Sequence, residues 1–368
     1  MPIEAGSAIA TPRSARISLV AVVPIVALFG TAGRSAPDAD PAPAGTILIR
    51  EWDSARKQYL HATLTPDGNT QLEFATPKDW PAATTVEYPH DVLRSPDGKR
   101  AVLIGNDTRP RKEDGSDPPQ FPAFLCSFPQ GKNLTPFGGN FEPAYWSADA
   151  GTLVVREYPA DFDTNPGGIG KFVSIELKTG KRTALPIPDE HWLLDRSPDG
   201  HRFLTSGKDP DGKLKGNRIF LLDRYGKVVR PLTDETVRVG PAKFGPDGKW
   251  VLLRAAQRSA KPVPGTAAWK LYRTAIENPK LELLTAVSDS ELVGGFALSP
   301  DGKRVAFDRH PRVSVELNPE KVLDPEAETD EVEIAVVVVG LDGKDARTVR
   351  SVKTKKPFSI QLQVVDWR

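Results

Sequence analysis

The sequence predicts an all-β fold in which one four-stranded antiparallel unit repeats around an axis, and three observations predict it. A turn motif, Ser95-Pro96-Asp97-Gly98, recurs as Ser147-Ala148-Asp149-Ala150-Gly151, Ser197-Pro198-Asp199-Gly200, Gly245-Pro246-Asp247-Gly248 and Ser299-Pro300-Asp301-Gly302. Their starts lie 52, 50, 48 and 54 residues apart. Each turn follows a short apolar stretch and precedes a second one (KRAVLI, TLVVRE, HRFLTS, KWVLLR, KRVAFD), which makes it the bend of a hairpin. A second hairpin completes each copy, again bent at a glycine (PQG, KTG, RYG, LDG), except in the copy that begins at Gly245, where ENPK stands instead. Units of four strands and about 50 residues cannot bury both of their faces alone, so they stack around an axis as the blades of a β-propeller. We label the strands of a blade a, b, c and d.

The elements follow in chain order. Arg13 and Arg16 precede an apolar run, 17–29, and small residues, 30–33. Basic, apolar, then small is the order of a secretory signal, so residues 1–33 are read as a signal peptide, with an uncleaved anchor as the alternative. The run is shorter than the ~20 residues needed to span a bilayer as a helix, so no stable span is expected once the signal is cleaved. Residues 34–45 (RSAPDADPAPAG) are too poor in apolar groups to pack and read as a tether. The propeller is expected over 46–368. The stretch TILIRE at 46–51 has no turn motif before it, and QYLHATL-TPDG-NTQLEF after it matches strands c and d. The first blade therefore lacks strand a. At the other end SIQLQVVDWR, 359–368, matches strand a, with Trp367 where Trp146 and Phe244 stand before their turns. Six blades result, closed by pairing the C-terminal strand with the N-terminal blade, which removes two open sheet edges.

Within each turn the residue types have a mechanical meaning. Pro at the second position has φ preset near −65°, Asp favours the turn, and Gly accepts the left-handed conformation that closes it. Such turns, with the c–d turns, the tether and the long loops, account for 35 prolines, roughly twice the usual share of a chain of 368.

In an antiparallel blade the a–b and c–d turns share one face and the b–c and d–a connections the other. The a–b turns are tight, whereas the b–c connections are long and dissimilar (106–121, 159–170, 206–216, 255–266 and 309–333), and loops of that kind on a rigid scaffold carry binding. The b–c face is the expected binding face. Basic residues on it, Arg109, Arg111, Arg258 and Arg312, are candidate contacts. Asp324, Glu326, Glu328, Asp330, Glu331 and Glu333 make the last loop acidic, so one face holds charges of both signs. Ahead of their turns stand His90, Glu142 and His191, on consecutive blades at the channel mouth. Imidazoles and a carboxylate are donors for a divalent metal, but the matching positions of blades five and six are Gly240 and Gly294, so these three are read as binding residues without a metal or cofactor. Asp161, Asp163 and Asn165 read as turn formers, since residue twelve of that stretch is Phe172 where a calcium loop needs Glu. Cys126 alternates with Phe124 and Phe128 and reads as a small core residue.

Composition narrows the function. With 49 Lys+Arg against 48 Asp+Glu the chain has no basic field for nucleic acid. One cysteine permits neither an intrachain disulfide nor a zinc knuckle. No GxSxG, HExxH or GxxxxGK[ST] motif occurs, so neither a hydrolase elbow, a zincin site nor a phosphate loop is expected.

The SPDGK turn followed by an apolar strand resembles the WD40-like repeat of TolB-type propellers and of the propeller that precedes the peptidase in prolyl oligopeptidases. The resemblance covers about Thr46 to Arg368. It implies a propeller and not a peptidase, because the hydrolase domain has no counterpart. It also implies that a metal-dependent lyase or glycan-active enzyme using the channel mouth, as some lyases with this propeller do, and a TolB-like part of a cell-envelope assembly are alternatives, although only the tether stands where TolB carries a further domain. The favoured expectation is an exported, non-catalytic propeller, periplasmic or extracellular, that binds a protein or peptide partner on the b–c face; its oligomeric state is not readable from the sequence.

Overall fold

A computed structural model describes residues 45–53, 58–74, 91–104, 123–137, 141–158, 170–209, 211–212, 216–257, 268–284, 287–288, 290–311, 331–355 and 362–368. The chain divides into Met1–Pro41, which lies outside those residues together with the expected signal, and Ala42–Arg368, which holds the blades. Among the described residues there is no helix, and therefore none long and apolar enough to cross a membrane.

Six four-stranded antiparallel sheets form, each in the order a-b-c-d. Blade one takes Leu362–Trp367 as strand a, followed by Ile47–Asp53, Gln58–Leu64 and Thr70–Phe74. Blades two to six begin with strands a at Asp91–Arg94, Phe141–Trp146, His191–Arg196, Val237–Phe244 and Glu291–Leu298. The predicted closure is present. Ile47 faces Trp367 and Glu51 faces Leu362 across it, and Thr46 and Arg368 exchange backbone hydrogen bonds at its end.

The repeated turn is built by its own side chains. Ser95 Oγ donates to Asp97 Oδ1 at 2.6 Å and accepts from Arg100 N at 2.9 Å, while Asp97 Oδ1 accepts from Lys99 N. The same set recurs at Ser147, Ser197 and Ser299. The seryl O–H holds the carboxyls of Asp97, Asp149 and Asp199 below their usual range. Gly245 replaces the serine because a Cβ there would lie 2.1 Å from the Trp250 indole, and Ala150 takes a left-handed φ of 55° where the other turns use glycine.

The core is six apolar clusters, one between each pair of neighbouring blades. Ile47, Ile49, Val336, Val364 and Trp367 join blades six and one; Leu48, Val92, Leu103 and Cys126 join one and two. Val102, Phe141 and Trp146 join two and three, and Tyr145, Phe172 and Phe220 join three and four. The last two clusters, around Leu253 and around Phe307, complete the ring. Side chains at the head of strand b reinforce it: Arg100 donates to Ala150 O at 2.6 Å and lies over the Trp146 ring, and Arg202 does the same to Gly248 O and Phe244 of the next blade.

Candidate functional site at the channel mouth

Strands a surround the axis, and their first residues meet the ends of strands b at the b–c face. A cavity of about 220 Å³ opens there, lined by Glu142, Arg156 and Phe172 from blade three, Trp192, Leu193 and Leu194 from blade four, and Pro241, Ala242 and Lys243 from blade five. The Arg156 guanidinium is its centre. It lies 4.1 Å from the centroid of Trp192, 5.3 Å from that of Tyr158 and 5.6 Å from that of Phe172, and its Nε donates to Gly170 O at 3.2 Å. Gly170 allows this approach, since a Cβ there would come within 2.8 Å of the Tyr158 ring. Tyr158 donates its O–H to Glu142 Oε2 at 2.7 Å; burial and that carboxylate push the phenol up, so it remains protonated. Trp192 meets Phe172 edge to face and is still 37% exposed. A half-open indole stacked on a guanidinium offers a partner both an apolar plate and a positive charge.

Of the residues expected at the mouth, Glu142 lines it. His191 does not. Its ring is 2% exposed, stacks on Phe220, and uses both nitrogens, Nδ1 with Thr205 Oγ1 at 2.8 Å and Nε2 with Lys208 O at 2.7 Å. The residue that shares the cavity with Glu142 is Trp192, one place later, because side chains alternate between the faces of a strand and a one-residue slip changes the face. His90, Arg109, Arg111, Arg258 and Arg312 lie outside the described residues, as do most of the long b–c connections, including 161–169 and 312–330. At the edge of the acidic loop Glu331 pairs with Lys353 at 3.6 Å. Among the described residues no three His, Cys, Asp or Glu side chains stand together as metal ligands.

A second set was missed from the sequence. The fifth residue of the strand b segment is charged in four blades: Arg50, Arg156, Arg254 and Asp308, after the apolar runs ILI, LVV, VLL and VAF. Each meets a strand a. Arg50 donates to Gln363 Oε1 at 2.6 Å, Arg156 stacks on Trp192, Arg254 donates to Gly294 O at 2.8 Å, and Asp308 accepts from Val364 N at 2.8 Å. These side chains explain the two glycines that interrupt the mouth. A Cβ on Gly240 would lie 2.9 Å from Arg254 Nε, and one on Gly294 would lie 1.8 Å from Asp308 Oδ2. A charge breaking the apolar run at the same repeat position was the signal that could have found them.

No protein-family model and no curated protein matches the sequence. Solved structures do. A protein of Agrobacterium tumefaciens assigned as TolB is 15% identical over 88% of this chain and 99% of its own, with a TM-score of 0.51. TolB of Acinetobacter baumannii is 16% identical over 89% of this chain and 67% of its own, with a TM-score of 0.56. An oligogalacturonate lyase in complex with manganese, 12% identical over 83% of this chain and 78% of its own, has a TM-score of 0.46, too loose to carry chemistry across. The fold of this chain is the six-bladed β-propeller that TolB proteins also have.

Proposed function

We propose that this protein is an exported, non-catalytic propeller that binds a protein or peptide partner at the b–c mouth. The observation that supports it is the Arg156–Trp192 stack, half open to solvent at the rim of a cavity. Tryptophan and arginine are the residue types that dominate the energy of protein interfaces. At about 220 Å³ the cavity is smaller than the ~300–1,000 Å³ of pockets that enclose a drug-sized ligand, which suits one inserted side chain of a longer partner. Arg109, Arg111, Arg258 and Arg312, on the b–c connections, would add contacts around it. Residues 1–33 would direct export and 34–45 would tether the propeller. The likeness to TolB structures favours, as a second reading, a place in a cell-envelope assembly; a metal-dependent reading requires His90, Glu142 and His191 to converge, and His191 is turned into its blade.

Selection of peptides from a displayed library against the full chain tests this reading. Trp192→Ala and Arg156→Ala should each lower capture of the selected peptides at least ~10-fold, the loss of about one interface hot spot. Capture unchanged by both substitutions would move the site out to the loops.

A further inference from the structure

At the b–c mouth Arg156 differs from the other arginines at its repeat position. Arg50 donates Nη2 to Gln363 Oε1 at 2.6 Å, and Arg254 donates Nη1 to Gly294 O at 2.8 Å. Arg156 donates Nε alone, to Gly170 O at 3.2 Å. Among the described residues its two terminal nitrogens make no hydrogen bond and its charge makes no ion pair. Its position is fixed nonetheless, because the rings of Tyr158, Phe172 and Trp192 stand around it, Trp192 closest at 4.1 Å. A guanidinium held by rings and tied at Nε keeps the N–H groups of its far edge for another partner. That edge is the fork that matches the two oxygens of a carboxylate.

The other charged groups of the cavity leave this fork open. Lys243 Nζ is matched by Asp195 Oδ1 at 3.7 Å. Glu142 lies opposite Arg156 in the strand register, but it accepts the Tyr158 O–H at 2.7 Å and forms no ion pair with Arg156. Arg156 is thus the unpaired cation of the cavity. Beside it the walls are apolar: Trp192, Leu193, Leu194, Pro241 and Ala242. Apolar walls beside an open guanidinium fork suit a side chain that carries a carboxylate at the end of a methylene stem.

Resting on the reading of this mouth as a partner-binding site, we propose that the partner's anchor is a glutamate side chain. Its carboxylate accepts paired hydrogen bonds from Arg156 Nη1 and Nη2, and its methylenes lie against the apolar walls.

The test uses peptides selected from a displayed library against the full chain, then synthesised with both ends blocked. They should share a glutamate, and its replacement by glutamine should weaken binding to the parent at least ~10-fold, as expected for hydrogen bonds between charged groups. The same replacement should change binding to Arg156→Ala less than ~2-fold, because the group it pairs with is gone. Arg156→Lys, which keeps the charge without the fork, should restore only part of the affinity. Glu142→Gln keeps an acceptor for Tyr158 and removes a nearby like charge, so it should tighten binding, by up to ~5-fold. Should Arg156→Ala fail to fold, the glutamine peptide and Glu142→Gln decide the matter. Selected peptides that lack glutamate, that bind only with a free C-terminus, or that lose as much on Arg156→Ala as on the parent would overturn the glutamate anchor and leave the binding face standing. Weaker binding to Glu142→Gln would overturn it in favour of an inserted cation. Capture lowered by neither Trp192→Ala nor Arg156→Ala would overturn the binding face itself, and the anchor with it.

Discussion

Replacing Asp308 with alanine probes the joint through which the C-terminal strand is held to the ring. Asp308 lies on strand b of blade six (Arg304–Pro311) and is 1% exposed. Its Oδ1 accepts from Gly295 N and from Val364 N, both at 2.8 Å, and its Oδ2 meets His310 Nε2 at 2.7 Å. One carboxylate therefore joins strand a of blade six to strand a of blade one. Removing it leaves two inward-facing amides unpaired, at about 1–3 kcal/mol each, and takes away the negative charge that faces buried Arg254. A loss of about 4 kcal/mol is expected, a large part of the ~5–15 kcal/mol by which domains are stable. At roughly 2 °C per kcal/mol for a large domain, the melting temperature should fall by about 8 °C. Denaturant unfolding should show a lower midpoint at unchanged slope. Asp308→Asn, which keeps one acceptor oxygen, should lose about half as much. An alanine variant within ~0.5 kcal/mol of the parent, the usual range of surface substitutions, would refute the role of this carboxylate in closure.

Deleting Leu362–Arg368 removes three buried side chains, Leu362, Val364 and Trp367, and uncovers strand b of blade one as an open edge. The deleted protein should lose its cooperative melting transition and aggregate in size-exclusion chromatography; one that melts like the parent would contradict the one-plus-three closure. Stability should also depend on His191. Burial holds its imidazole below the ordinary value of 6.5, so on acidification the unfolded chain takes up a proton that the folded protein resists. Its contribution is present above about pH 6.5 and declines as the pH falls through the folded value. His191→Gln should flatten the fall in unfolding free energy between about pH 7 and 5, and an unchanged slope would assign that fall to other groups.

The sequence by itself determined the architecture, and particular residues show why. Ser95-Pro96-Asp97-Gly98 and its copies form their turns from hydrogen bonds within six residues, so they are legible without any tertiary contact. The closure was legible too, because TPDG at 65–68 and Trp367 each have one place in the repeat and only one count of blades satisfies both. The mouth was only half legible. Glu142 lines the cavity, but His191 and Trp192 are adjacent residues on opposite faces of one strand, and which of them faces the cavity is decided by packing that no local pattern announces: His191 is stacked on Phe220 and Trp192 on Arg156. Arg156, Arg254 and Asp308 follow apolar runs in their strands and belong to no motif. Their meaning came from Gly240, Gly294 and the closing strand, which are distant in sequence and close only once the blades stack. Turns follow from local chemistry, and so does the number of blades; what fills the axis is decided by contacts between blades, which only the closed ring brings together.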